Sequence, residues 1–230
     1  MIALKFFPLL VSLALISCVQ TRYTTPPEEP EPAETAEVRT EKTDKIVVEE
    51  LSSGTGAIAE RLLSTGIIEV GSREAPVTLM VFTEHHAKYA QEFQIDQFPR
   101  LFKEFIETGK LKFQVAILPL KKYPQSESAA SGLLCAAMQS KGMAMHQSLS
   151  ENLETERLEP KHYAEELGIN MEEFSRCMEA EETSFILKQQ NAWAQSLDVT
   201  LVPTFFLNGE KHVGLPYYPD LRGTIIEKLR

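Results

Sequence analysis

The sequence predicts an α/β fold in which a β-α-β unit and a later β-hairpin are separated by an inserted block of helices. Three stretches carry that prediction. Val77 to Thr83 is an apolar strand-like run, after which Phe98, Leu101, Phe102, Phe105 and Ile106 recur at i, i+3, i+4 spacing and a second strand-like run extends from Leu111 to Leu118. Ser126 to Leu197 is helical in several pieces. Thr204 to Val213 then reads as a hairpin around Asn208 and Gly209, a dipeptide suited to a type I′ turn.

Taken in order, Leu51 to Ser64 predicts a short helix, and Ile67 to Val70 a short strand closed by Gly71. Pro76 precedes the strand at 77–83, and a helix follows over about 88–107, with Pro99 expected to kink it. The strand at 111–118 ends at Pro119, completing a β-α-β unit expected to be right-handed. In the helical block, Ala129, Ala130, Leu133, Leu134, Ala137 and Met138 form one apolar face. Pro160 begins a helix closed by Gly168, and Asn170 with Glu173 makes a capping-box pattern. Phe185, Ile186, Ala192, Trp193 and Leu197 belong to a last long helix of the block, and a closing helix runs over about 218–229.

The first residues stand apart from this pattern. Lys5 precedes an apolar run from Phe6 to Ile16, too short to span a bilayer as a finished helix. It ends in Leu15-Ile16-Ser17-Cys18, which resembles the lipobox of bacterial lipoproteins. That resemblance implies a signal peptide over 1–17, cleavage before Cys18 and lipidation of its sulfur, anchoring the chain to a membrane of the bacterial envelope. An ordinary secretory signal with an incidental cysteine is the alternative, and either way the chain is exported. Between 26 and 50 lie nine acidic and three basic residues, interleaved with Pro26, Pro27, Pro30 and Pro32. Such a segment repels itself and stays solvated, so 18–50 reads as a lipidated cysteine followed by a tether. Residues 51–230 form one domain with enough chain for a full core, mildly acidic and without a basic stripe, which argues against nucleic-acid binding.

The motifs of about 67–230 are similar to those of the DsbA-like thiol oxidoreductases. The resemblance rests on Ala75 to Phe93, Pro99 in the first helix, and Val202-Pro203-Thr204-Phe205-Phe206-Leu207-Asn208-Gly209. Within the insertion, Tyr163 to Ile169 and Met171 to Cys177 resemble the same family. It implies a thioredoxin-like fold with an inserted helical subdomain over about 122–197. It also places the family's Cys-x-x-Cys on Ala87-Lys88-Tyr89-Ala90, so the catalytic position is vestigial. A methyl group neither ionises nor attacks a disulfide. No cysteine lies between 19 and 134, so no shift of register supplies one.

Pro203 matches the family's cis-proline, where the preceding residue pairs with an extended peptide by strand addition. The expected peptide-binding residues are therefore Val202, Pro203, His86 and Tyr89; the alternative is a turn kept because the fold needs it. Cys135 and Cys177 fall where relatives carry a second cysteine pair, implying a disulfide in an exported chain, with a relocated redox couple as the sharper alternative. His85 and His86, as strand neighbours, point to opposite faces and do not readily share a metal. No metal or cofactor is expected. The resulting expectation is an envelope-tethered, redox-inactive protein that binds an extended polypeptide or an envelope protein. A thiol oxidoreductase using Cys135 and Cys177 and a purely structural envelope lipoprotein are the alternatives.

Overall fold

Seven consecutive residues, Val77–Thr83, run through the middle of a six-stranded sheet with all but Thr78 buried, as suits a strand covered on both faces. The structure is a computed structural model and describes residues 58–151 and 159–230. Its strands are β1 (Glu60–Leu62), β2 (Ile68–Val70), β3 (Val77–Thr83), β4 (Leu111–Ile117), β5 (Thr204–Leu207) and β6 (Glu210–Val213). Its helices are α1 (Lys88–Glu92), α2 (Phe98–Leu101), α3 (Ser126–Ala137), α4 (Gly142–Glu151), α5 (Pro160–Glu166), α6 (Met171–Glu179), α7 (Glu181–Ser196) and α8 (Tyr218–Lys228). The leader, Cys18 and the acidic tether lie outside the described residues.

The sheet order is β1-β2-β4-β3-β5-β6; β3 and β4 are parallel and every other pair is antiparallel. Strand periodicity sorts the side chains of β3 to two faces. Val77, Leu79 and Val81 join the main core with Phe93, Phe98, Leu101, Phe105 and Ile106. Met80 and Phe82 face a smaller cluster with Ala116, Leu118 and Ala194, where Trp193 and Phe206 meet the Phe82 ring edge-on at centroid distances of 5.1 and 5.8 Å. The hairpin turn has φ of 48° at Asn208 and 86° at Gly209, the two positive values a type I′ turn requires.

From α1 onward the helix is continuous but not uniform. Pi-helical turns at Phe93–Gln97 and Phe102–Ile106 flank α2, whose first turn holds Pro99. A proline has no N–H to donate and crowds the preceding turn, and widened turns on either side accommodate both effects.

Within the insertion, α3 is the central helix: ten of its twelve residues are buried, and it packs against α4, α5, α6 and α7. Gly132 is required there, because a Cβ would lie 2.3 Å from the Cβ of Pro160 at the start of α5. Met138, at the C-terminal end of the same apolar series, is 60% exposed and lines no core. Asn170 caps α6 by accepting from the N–H groups of Glu172 and Glu173. Its own N–H donates to Gln139 Oε1 at 2.8 Å, so a partner from the turn after α3 replaces the reciprocal carboxylate of a capping box.

One element departs from the sequence reading. Residues 60–62 form the edge strand β1 rather than the end of a helix over 51–64, pairing with β2 from Glu60 opposite Val70 to Leu62 opposite Ile68. A three-residue strand carries too little periodicity to be read locally, and its pairing decides it. That strand also aims Glu60 at the start of α4. Its carboxylate accepts from Gly142 N–H at 2.6 Å and Met143 N–H at 2.9 Å. Burial raises its pKa, opposed by those two backbone bonds and by Lys141. Glu60→Ala is expected to lower stability by about 1 kcal/mol through the lost cap, read from urea unfolding; an unchanged midpoint would show the cap contributes nothing.

Candidate functional site

Four segments meet at the C-terminal end of β3. The chain leaves Thr83 and turns through Glu84, His85 and His86 into α1, with Ala87 as the N-cap residue in an extended conformation (φ −82°, ψ 119°). Phe82 pairs with Thr204, so the residues just before β5 lie at the same end. There the bond between Val202 and Pro203 is cis. Leu118 N–H donates to Thr83 O at 2.9 Å, bringing the exit of β4 to this end as well.

At the helix start, Ala87 and Ala90 are 7% and 4% exposed, and the N-cap makes no side-chain hydrogen bond. Lys88 is exposed, and Tyr89 is 57% exposed. Neither alanine offers an ionisable or nucleophilic atom.

The cis-proline loop offers backbone instead. Leu201 O accepts from Thr204 Oγ1 at 2.7 Å, and Pro203 O accepts from Gly214 N–H at 2.9 Å. Between them, the N–H and C=O of Val202 have no hydrogen-bond partner among the described residues. Val202 is half-buried and Leu201 is 63% exposed. Unpaired main-chain groups beside exposed apolar surface are the requirements for adding a strand.

Beneath this surface lies a polar network. Glu84 is fully buried; its Oε1 accepts from Ser126 Oγ at 2.7 Å and meets His86 Nδ1 at 2.5 Å, while Oε2 accepts from His86 N–H at 2.7 Å. Ser126 Oγ in turn accepts from Leu120 N–H at 3.0 Å. His86 stacks on Tyr123 with centroids 5.3 Å apart, and Lys122 lies 4.7 Å over the same ring. His86 is therefore a held, largely buried side chain rather than an exposed contact, and Tyr89 is the open one of the two expected side chains.

His85 points the other way, and its Nε2 meets His146 Nδ1 of α4 at 2.9 Å. Both rings are buried. Burial, with His146 and His86 as further causes, drives His85 well below the usual histidine range, and burial pushes His146 down to about 4. Gln91 Nε2 donates to His85 O, and Gln94 Nε2 donates to Gln147 Oε1. No three metal-ligating side chains converge among the described residues.

Cys135 of α3 and Cys177 of α6 are joined by a disulfide with Cα atoms 5.7 Å apart. Cys135 is 1% exposed and lies within the main core, and Cys177 is half-buried. Glu84, Ser126 and His146 escape sequence reasoning. Ser126 is 42 residues from Glu84 and His146 is 61 from His85, so no local spacing signals either pairing. An acid closing an apolar strand, followed by two histidines, was the available hint.

A βαβ unit, an antiparallel hairpin led by a cis-proline, and helices inserted between them define a thioredoxin-type fold. Residues 64–227 match the family model described as Thioredoxin, and the chain belongs to that family. Solved structures with the same fold include DsbA proteins. BdbD from Bacillus subtilis superposes with a TM-score of 0.63 at 21% identity, covering 70% of this chain and 91% of that one. Alpha-DsbA1 of Wolbachia pipientis also gives 0.63, at 17% identity, with 70% and 89% covered. DsbA of Chlamydia trachomatis gives 0.61 at 21% identity, with 69% and 89% covered. Among curated proteins, Na(+)/H(+) antiporter NhaA 3 of Salinispora tropica is 27% identical over 151 residues, 64% of this chain. The chain spans about a fifth of that protein's length (22%). Among the described residues, no helix is long and apolar enough to cross a membrane.

Proposed function

We propose that this protein docks an extended polypeptide along the cis-proline loop and performs no thiol chemistry at the start of α1. The observation that carries the reading is a pair of facts at one end of the sheet. Val202 has unpaired N–H and C=O groups among the described residues, while Ala87 and Ala90 stand where the family resemblance places sulfur. Main-chain pairing with an extended segment needs only the first; disulfide exchange needs the second.

Binding of a thiol-free, unfolded polypeptide is expected, and Val202→Arg is expected to weaken it by at least about tenfold, because the new side chain covers the edge and adds an unmatched charge. Equal binding by wild type and variant, with folding unchanged by circular dichroism, would remove the docking edge from the account. Cys135 is buried in the main core while Cys177 is half-buried, so an incoming thiolate has access from the Cys177 side alone, which favours a structural role for the disulfide.

The location proposed is the bacterial envelope, with a lipid on Cys18, on the strength of Leu15-Ile16-Ser17-Cys18. Labelled palmitate is expected in the wild-type chain and absent from Cys18→Ala; label in both would point to another attachment.

A further inference from the structure

Beside the vacated site runs a groove of about 340 Å³ between the 119–124 strap and α7, whose chemistry the account so far does not use. Leu120, Tyr123 and the buried Leu187 give it an apolar lining, and Lys121 and Lys188 stand at its rim. Glu127 is the one carboxylate among its lining residues. Lys121 and Lys188 make no ion pair among the described residues, and Lys122 lies over the Tyr123 ring just outside. Two lysines against one glutamate in its lining is a local reversal of sign in a domain with 24 acidic and 18 basic residues over 51–230.

The strap is also held in shape. Tyr123 N–H donates to Leu120 O at 2.9 Å, and Ser126 N–H donates to Tyr123 O at 3.0 Å. Leu120 N–H donates to Ser126 Oγ, the same hydroxyl that donates to Glu84. A preorganised wall loses little freedom when a ligand binds. Tyr123 is shared, lining the groove on one side and stacking on His86 at the end of β3 on the other.

We infer that this groove receives an acidic, extended polypeptide segment, its apolar side chains against Leu120, Tyr123 and Leu187 and its carboxylates beside Lys121 and Lys188. The inference rests on the docking reading proposed above and specifies the chemistry of the partner. A neutral peptide would find the apolar floor without the charge match, and a basic one would meet Lys121 and Lys188.

The test uses the full-length chain and three fluorescent peptides of equal length and equal apolar content, whose remaining positions are Glu, Gln or Lys. Anisotropy titrations at low and near-physiological salt are run on wild type, a Lys121→Gln/Lys188→Gln double variant and Val202→Arg. Both lysines are exposed, and matched thermal unfolding confirms that the double variant folds. The acidic peptide is expected to bind tightest and to lose affinity with salt. The double variant should weaken the acidic peptide about tenfold, the equivalent of two exposed ion pairs, and leave the Gln peptide unchanged. Val202→Arg should weaken the Gln peptide, whose side chains gain nothing from the added positive charge. An acidic peptide bound equally by wild type and double variant would overturn the groove while leaving the cis-proline edge standing. Insensitivity to Val202→Arg alone would overturn the edge, and binding of no peptide would overturn both.

Discussion

A chain carrying Ala87→Cys and Ala90→Cys is expected to form a disulfide and to reduce and oxidise model substrates, and the chain with Ala at both positions is expected to show no turnover above a thiol-free control. Residue 87 is the N-cap of α1, with helical backbone following and Gln91 N–H donating to its carbonyl at 3.0 Å. A thiolate placed there faces the unpaired amides of the first turn, the setting that lowers a cysteine pKa. Bringing a thiol from about 8.5 to about 7 raises its thiolate fraction at pH 7 roughly fifteen-fold. Ala87→Cys alone is accordingly expected to react with iodoacetamide about ten times faster than a cysteine placed at exposed Lys110, which lies in no helix. Residues 87 and 90 lie one helical turn apart, the spacing of the Cys-x-x-Cys that the resemblance implies there. A double variant that forms the disulfide but shows no turnover would mean that the surroundings, and not only the sulfurs, have left the chemistry behind.

Acid is expected to unfold this protein through His85 and His146. Both are buried in contact with each other, and both are held neutral in the fold. In the unfolded chain each titrates near 6.5, so below that pH the unfolded state takes up protons that the fold refuses. Stability is therefore whole above about pH 6.5 and falls as pH drops toward the folded value of about 4 for His146. His146 alone accounts for a loss of about 2–3 kcal/mol between pH 6.5 and 4.5, with His85 adding in the same direction. The carboxylates held below their usual range act lower down. Glu69, whose burial is outweighed by Gln114 and Arg61, and Glu104, bonded first of all by Arg222, lose their contributions mainly beneath pH 4.5. Urea unfolding at pH 7, 5.5 and 4.5 reads the slope. His146→Gln is expected to start lower at pH 7 and to flatten that slope. A wild-type stability that does not change over this range would contradict the buried neutral pair.

Much of the fold was legible because its signals are local. Asn208 with Gly209 dictates positive φ at two successive residues, the apolar spacing from Phe98 to Ile106 dictates one helix face, and Pro203 after Val202 sits where the family turns on a cis bond. The limits of β1 were not legible, since three half-buried residues become a strand only by pairing with β2. That Ala87 and Ala90 stand where sulfur is expected is an implication of the family resemblance alone. What surrounds them could not be read in this way. Glu84 is satisfied by Ser126 from the next structural unit, and His85 by His146 from α4, contacts that only long-range packing creates. Sequence reasoning placed His86 on the binding surface because it adjoins the site; the carboxylate of Glu84 and the ring of Tyr123 hold it largely inside.

The central claim is that the edge remains usable without the sulfurs, and amide chemical shifts test it most directly. The isotope-labelled chain is titrated with an unfolded polypeptide whose cysteines are all carboxymethylated, so that no exchange chemistry contributes. The account predicts saturable shifts centred on Leu201 and Val202, extending to Lys88 and Tyr89. A saturating titration that leaves the Val202 amide unmoved would contradict it.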